Sequence, residues 1–475
     1  MNRFASFLTI VLFWYTMAGC VKVGPDYQPP PTLTPDAWQA PASHGLQAGV
    51  AEQQILAQWW TVLQDPLLTG FIDRALRENL DLEQARARLL AARAKRDLSA
   101  AGILPSLTAG GSVTRSHSSG NRGSGTDSTS YSSGFDAGWE LDLFGGRQRS
   151  VEAAEAQLAA GEEELRAIQV SLLAELALNY LEIRTYQTRL QIAGANLVAQ
   201  DETLSLTEAR YHSGLVSEMA LQQAKHLVAS TRAQIPSLQT GLAKATNTLA
   251  VLLGKPPGVL TEDLRIPMEI PALPASVAIG IPAETLQRRP DVRKAERQLA
   301  AQTAQIGVAT AELYPSLQLK GSIGLDALSS GRFFNSDSRR YSFGPSFSWT
   351  LFDGGATKAN IRLQSALQQE ALAVYRATVL AALEEVESAL AAYALEQDRQ
   401  QALQEAVVAA ALAATLAGQQ YQAGLINFTE VLDARRSLLS LQDQQASSRA
   451  TMVGNLIRVY KALGGGWTSL SPLLN

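Results

Sequence analysis

The strongest constraint on this chain is that most of it is written twice. Leu104-Pro105-Ser106-Leu107 recurs as Tyr314-Pro315-Ser316-Leu317, 210 positions later. Tyr211 with Gly214-Leu215-Val216 returns as Tyr421 with Gly424-Leu425-Ile426, and Leu253-Gly254 as Leu463-Gly464, at the same offset. Leu143-Phe144 and Leu351-Phe352 are each followed by a glycine pair. Landmarks that hold one spacing over about 150 residues specify two copies of one unit. The copies occupy 75–254 and 291–464, joined by the proline-rich segment 255–290, with an extension at 20–74 and a tail at 465–475.

Each copy reads as helix, two strands, long helix, tight turn, helix. In copy one, good helix formers run from about Ala75 to Ile103, without glycine or proline until Gly102. The period then becomes two. Phe135, Ala137, Trp139, Leu141 and Leu143 alternate with Gly134, Asp136, Gly138, Glu140 and Asp142. In copy two, Leu317, Leu319 and Ile323 alternate with Gln318, Lys320 and Ser322, while Phe343, Pro345, Phe347, Trp349 and Leu351 alternate with polar or small residues. Such strands lie between two environments. A soluble sandwich gives the same alternation. Charged residues on the polar face, beside aromatics at strand ends, point instead to a membrane barrel whose bore is wetted by Asp136, Glu140, Asp142 and Lys320. Gly110–Gly134 and Ala327–Arg340, rich in Ser, Gly and Asn, are expected to be surface loops.

Four strands are too few to close a useful pore, so the pattern demands more copies. Three chains supply twelve, an even number suited to an antiparallel outer-membrane barrel. Helix length points the same way. From Arg147 to Tyr211 there is no proline, and a helix of that length extends about 100 Å. The two shorter helices of a copy, roughly 30 and 37 residues, together reach about the same length. Partners of equal length are needed to bury such helices. Pro236 is expected to interrupt and kink the last helix of copy one, where copy two has Ala446.

The amino terminus sets the compartment. Arg3 precedes an apolar stretch, Phe4 to Tyr15, and small residues lead through Met17-Ala18-Gly19 to Cys20. That is the layout of a secretory signal over residues 1–19. Cys20 is the sole cysteine, so no intramolecular disulfide forms, and the small residues before it match a lipobox whose cysteine is lipidated. An ordinary signal beside an incidental cysteine is the alternative. Past the signal, no uninterrupted apolar stretch approaches the roughly 20 residues of a spanning helix; Ala406–Ala417 is too short. Any crossing is then made by strands.

Composition excludes several functions. With 40 basic and 44 acidic residues interspersed, the net charge of −4 offers no nucleic-acid surface. The four histidines, His44, His117, His212 and His226, share no metal-ligand spacing, and Gly254-Lys255 runs into two prolines rather than a phosphate loop. No cofactor and no enzymatic activity are expected.

Cys20 with Gly24-Pro25-Asp26-Tyr27, Trp139-Glu140-Leu141-Asp142-Leu143-Phe144-Gly145, Leu286-Gln287-Arg288-Arg289-Pro290-Asp291 and Lys461-Ala462-Leu463-Gly464-Gly465-Gly466-Trp467 together resemble the TolC-like outer-membrane factors, in their lipidated OprM/NodT branch. The resemblance spans nearly the whole mature chain. It implies an α+β membrane protein that forms a homotrimer, with a 12-stranded β-barrel in outer-membrane lipid and a 12-helix α-barrel across the periplasm. The implied partners are a periplasmic adaptor (membrane fusion) protein and an inner-membrane transporter of the resistance–nodulation–division class. The implied function is the exit duct of a multidrug efflux pump. The duct of a type I protein or polysaccharide secretion system shares the fold and stands as a second reading, and a monomeric structural lipoprotein as a third.

The resemblance also marks residues. The family's turn tips meet the adaptor, which maps onto Gly214, Leu215, Val216, Gly424 and Leu425; the glycines also suit closure of the turns alone. Its periplasmic constriction uses acidic residues at positions matching Glu430 and Asp433, with an arginine matching Arg436 in OprM-like members. Thr429 stands where the family has leucine, and Arg435 or Arg436 is expected to bond a neighbouring helix. Copy one carries Ala220, Gln223 and His226 at the matching offset, so the charged set belongs to copy two alone. A local alternative employs Glu430 in a capping box with Asn427.

Overall fold

The computed structural model describes residues 22–31, 35–39, 45–47, 53–121, 125–274, 276–278, 280 and 282–467. Cys20, the signal segment and the tail from 468 lie outside the described residues. Copy one comprises α1 (Pro66–Glu78), α2 (Leu80–Ala101), β1 (Ser106–His117), β2 (Asp127–Leu141), α3 (Gly146–His212) and α4 (Glu218–Leu252). After a linker with a short helix, Pro282–Arg288, copy two supplies α5 (Pro290–Ala311), β3 (Ser316–Ala327), β4 (Arg339–Ser348), α6 (Ala356–Gln422) and α7 (Phe428–Ala462). α3 and α6 each have 67 residues, about 100 Å of helix.

The helix expected from Ala75 to Ile103 is divided. Asn79 ends α1 and starts α2: its Oδ1 accepts the N–H of Asp81 and Leu82 at 2.9 and 3.0 Å, while its Nδ2 donates to the Leu252 carbonyl at 2.8 Å. An asparagine amide that satisfies two helix ends competes with continuation of either. Pro236, by contrast, does not end α4, which runs on to Leu252. Proline removes one N–H, and the buried Thr231 and Leu238 keep both flanks packed.

Two compact units can be described separately. One contains Met1–Pro31, Arg88–Glu162 and Lys294–Ala377, and holds an antiparallel sheet of order β1-β2-β3-β4. Here the expected loop Gly110–Gly134 is mostly strand, since β1 runs to His117 and β2 starts at Asp127. Serine serves as a strand residue because its hydroxyl pairs sideways: Ser112 with Ser132 at 2.9 Å and Ser116 with Ser128 at 3.0 Å. Gly134 sits against β3 so closely that a Cβ would lie 3.0 Å from Gly324 Cα. Arg339 and Arg340 likewise belong to β4.

Before α6, Asp353 accepts the Thr357 hydroxyl and N–H at 2.6 and 2.7 Å and the Gly355 N–H at 2.8 Å. Those bonds, the hydroxyl first, lower its pKa from 3.8 to about 2. A folded pKa below the unfolded one gives stability that is present above the unfolded value and lost as pH falls through the folded one. Amide protection at the start of α6, measured relative to the intrinsic exchange rate, should therefore fall as pH drops through about 2, a step that Asp353→Asn should abolish.

The second unit contains Thr32–Ala87, Glu163–Arg293 and Thr378–Asn475. Trp59 stacks on Tyr460 with ring centroids 5.8 Å apart, and the fully buried Arg184 donates to Tyr180 Oη, Gln187 Oε1 and the Ile266 carbonyl. Burial, and then the bond to Asp65, raises the Tyr180 pKa. Trp467 lies beside the Arg166 and Arg293 guanidiniums, 5.0 and 5.5 Å from its ring. Among the described residues one helix, α6, contains an 18-residue stretch apolar enough for a membrane span, with mean hydropathy 1.3 and 6% of it buried.

Candidate functional site

The two turns close alike. Gly214 and Gly424 take φ of 72° and 75°, which an L side chain adopts only with strain. The N–H of Leu215 reaches back to the Arg210 carbonyl at 2.9 Å, and that of Leu425 to Gln420 at 2.8 Å. These are Schellman closures that satisfy the last carbonyls of α3 and α6. Beneath them one apolar cluster unites Tyr421, Phe428, Val431 and Leu432 with Ala224 and Leu227, so the two turns sit side by side. Leu215 and Leu425, both 74% exposed, stand clear of that cluster, and Val216 is half-buried. Each turn thus carries one exposed leucine at its tip.

Sequence alone did not single out Arg210, which ties the pair together. Its guanidinium donates to the carbonyls of Tyr421 and Gln422, both at 2.7 Å, and lies 4.6 Å from the Tyr421 ring. Copy two has Gln420 at the matching position, and that loss of symmetry was the available signal.

Thr429, Glu430, Asp433 and Arg436 are exposed on α7, and Arg435 is half-buried. The Asn427 side chain makes no capping bond, whereas Ser217 caps α4 through the Ala220 N–H, so the capping box is not formed. Among the described residues, Glu430, Asp433, Arg435 and Arg436 form no ion pair within their own chain. Arg435 Nε is buried without a hydrogen-bond partner. Arg436 lines a cleft of about 650 Å³ together with His226, its counterpart in copy one, and with Arg189 and Asp443, which pair through two bonds of 2.6 and 3.0 Å.

The sheet has two unlike faces. Register places Asp136 opposite Ser322, Gly138 opposite Lys320 and Glu140 opposite Gln318, which gathers Asp136, Glu140 and Lys320 on one face. Glycines on both neighbours, Gly138 and Gly344, leave lateral room for Lys320. Glu140 pairs with Arg147 at 2.7 Å. Asp142 lies one residue beyond β2 rather than within it. Its carboxylate accepts the Gln148 N–H at 2.7 Å and so caps the first turn of α3, a local task the alternation pattern concealed. The opposite face carries Leu107, Val113, Phe135, Ile323, Tyr341, Phe343 and Phe347, all exposed. At its helical end Trp139 and Trp349 donate their indole N–H to the carbonyls of Ile103 and Leu313, at 2.8 and 3.1 Å. The edge strands β1 and β4 each pair on one side only.

A family model described as outer membrane efflux protein matches the chain twice, over residues 71–255 and 281–465. Nodulation protein T of Rhizobium leguminosarum bv. trifolii is 35% identical over 99% of both chains. The pyoverdine export outer membrane protein OpmQ of Pseudomonas putida is 34% identical, with 93% of this chain and 95% of that one covered. Among solved structures, the outer-membrane channel OprN superposes with a TM-score of 0.88 at 39% identity, over 94% of this chain and 99% of that one. The open-state MtrE outer membrane channel of Neisseria gonorrhoeae gives 0.81 at 29% identity, over 94% and 98%.

Proposed function

We propose, from the premise that this chain belongs to the outer membrane efflux protein family, that three copies form the exit duct of a tripartite pump driven by an inner-membrane transporter of the resistance–nodulation–division class. One observation carries the reading. A four-stranded sheet with an uncovered apolar face, a charged polar face and two half-paired edges is a wall fragment rather than a finished domain. Three such fragments close into a barrel whose apolar face meets lipid and whose Asp136, Glu140 and Lys320 wet the bore. The scarcely buried apolar stretch of α6 is then covered by neighbouring copies, and Cys20, lipidated, adds an anchor in the outer membrane. Relatives that carry pyoverdine export and toluene efflux in their names support small-molecule export over secretion of polymers.

The turn tips, with Leu215, Val216 and Leu425, are the docking surface for a periplasmic adaptor. The same end carries the gate. Charges of α7 that find no ion pair within one chain are available to a neighbour. In a trimer, three Asp433 carboxylates converge and repel, by about 1 kcal/mol per pair at 4 Å in water and more where water is scarce. Arg435 or Arg436 of the adjacent copy offsets that repulsion and holds the tips shut until the adaptor competes. Asp433→Ala combined with Arg436→Ala is expected to raise single-channel conductance in planar bilayers. Unchanged conductance in the double variant would remove these residues from the gate while leaving the duct intact.

A further inference from the structure

The two connections at the far end of the sheet differ in kind. In copy one, residues 118–126 are Ser, Gly, Asn, Arg and Thr, without an apolar side chain. In copy two, Leu328–Ser338 is a built loop of two short 3₁₀ turns, in which the Asn335 N–H and the Ser338 hydroxyl donate to the Arg332 carbonyl at 3.0 and 2.7 Å. That loop displays Leu328 at 76% and Phe334 at 86% exposure, and the Phe333 ring meets Phe334 edge to face at 5.1 Å.

Membrane hydrocarbon does not account for this patch. On the apolar sheet face, the rows nearest this end are Arg115, His117, Asp127 and Arg339, with Arg115 and His117 bonded to Asp127 at 3.1 and 2.7 Å. A hydrocarbon layer ends before such a row, since buried charge in lipid costs about 2–4 kcal/mol for each Arg or Lys near the midplane. The loop leaves β3 at Ala327, level with Tyr131, and returns at Arg339, so it stands at or beyond that boundary. Apolar side chains held there by an ordered loop lie past the hydrocarbon edge, where the same loop of a neighbouring copy can cover them.

We propose that the three copies of this loop meet one another over the bore, through Leu328, Phe333 and Phe334, as an apolar plug at the extracellular mouth. The proposal rests on the trimeric duct argued above. The loop adjoins β4, an edge strand and hence the seam between copies. Twelve strands about 4.8 Å apart and tilted about 40° enclose a barrel of radius roughly 12 Å. With its 3₁₀ turns rising only about 2 Å per residue, five or six residues of the loop reach roughly 10–12 Å, and the outward Phe334 side chain carries the apolar surface to the axis.

The test uses Phe334→Cys in the full chain, whose only other cysteine is Cys20, purified in detergent with its particle mass measured. Oxidation by dioxygen with copper–phenanthroline joins two thiols with loss of two protons and two electrons, and needs Cα atoms within about 4.4–6.8 Å. Convergence on the axis gives disulfide-linked dimer plus one free thiol per particle, absent from the parent chain. A three-chain particle that forms no dimer overturns the plug and leaves the duct standing. Labelling by a membrane-impermeant maleimide then shows whether water or lipid meets the loop. A one-chain particle overturns the duct reading and the plug with it.

Discussion

Ile323→Arg should leave no assembled particle in the outer membrane, whereas Ser322→Arg, one residue away, should assemble and conduct. Ile323 lies level with Phe135 and Tyr341, midway along the uncovered apolar face, and Ser322 shares the opposite face with Asp136. Arginine near the bilayer midplane of a strand barrel costs roughly 2–4 kcal/mol, so three copies cost about 6–12 kcal/mol. That approaches the whole stability of a typical domain, about 5–15 kcal/mol. In the proposed duct the guanidinium on the Ser322 side faces a water-filled bore beside Asp136. Recovery of SDS-resistant oligomer from outer-membrane fractions reads the difference. Equal recovery of both variants would show that the two faces do not meet different media.

The second large effect is expected at Arg149. Its side chain, 1% exposed, donates to the carbonyls of Val23 and Gly24 at 3.0 and 3.2 Å, to Asp26 at 2.7 Å and to Glu152 at 2.9 Å. The segment it holds lies flat on the unit. Val23 N–H bonds the Phe144 carbonyl at 3.1 Å, a Cβ at Gly145 would come within 2.9 Å of Lys22 Cα, and one at Gly307 would lie 2.7 Å from Arg149 Cγ. Arg149→Met removes the donor to the Val23 and Gly24 carbonyls, while Glu152 keeps its pair with Lys22, and the lost hydrogen bonds cost about 1–3 kcal/mol. Asp26→Ala should cost under about 1 kcal/mol, because the Asp26 carboxylate is 80% exposed and largely solvated. Trypsin cleavage after Lys22 should therefore accelerate strongly in Arg149→Met and little in Asp26→Ala. Equal, slow cleavage in both would mean that the clamp does not hold the segment.

Periodic and repeated features were legible in the sequence. Both 67-residue helices, both glycine turns and the alternating strands recur at one offset, because each reflects local geometry that residue order records directly. Features set by distant or competing partners were not. The serine-rich ends of β1 and β2 resemble loop until Ser112 meets Ser132 across the ladder. Asp142 reads as a strand residue until Gln148 claims its carboxylate. Arg149 looks like one more solvated helix arginine, since its partners Val23, Gly24 and Asp26 lie over 120 residues away in sequence. Arg210 escaped notice for the same reason. Glu430, Asp433, Arg435 and Arg436 were visible as a set on α7, but among the described residues none of them forms an ion pair within one chain, unlike Asp443, Arg449 and Lys461 on the same helix; in the proposed trimer their partners come from neighbouring copies.

The most direct measurement is the mass of the full-length protein extracted from outer membranes in mild detergent. Three chains per particle are expected, with twelve strands sharing one closed wall. A particle of one chain, with the apolar face of its sheet coated by detergent and both edge strands unpaired, would contradict the duct at its root.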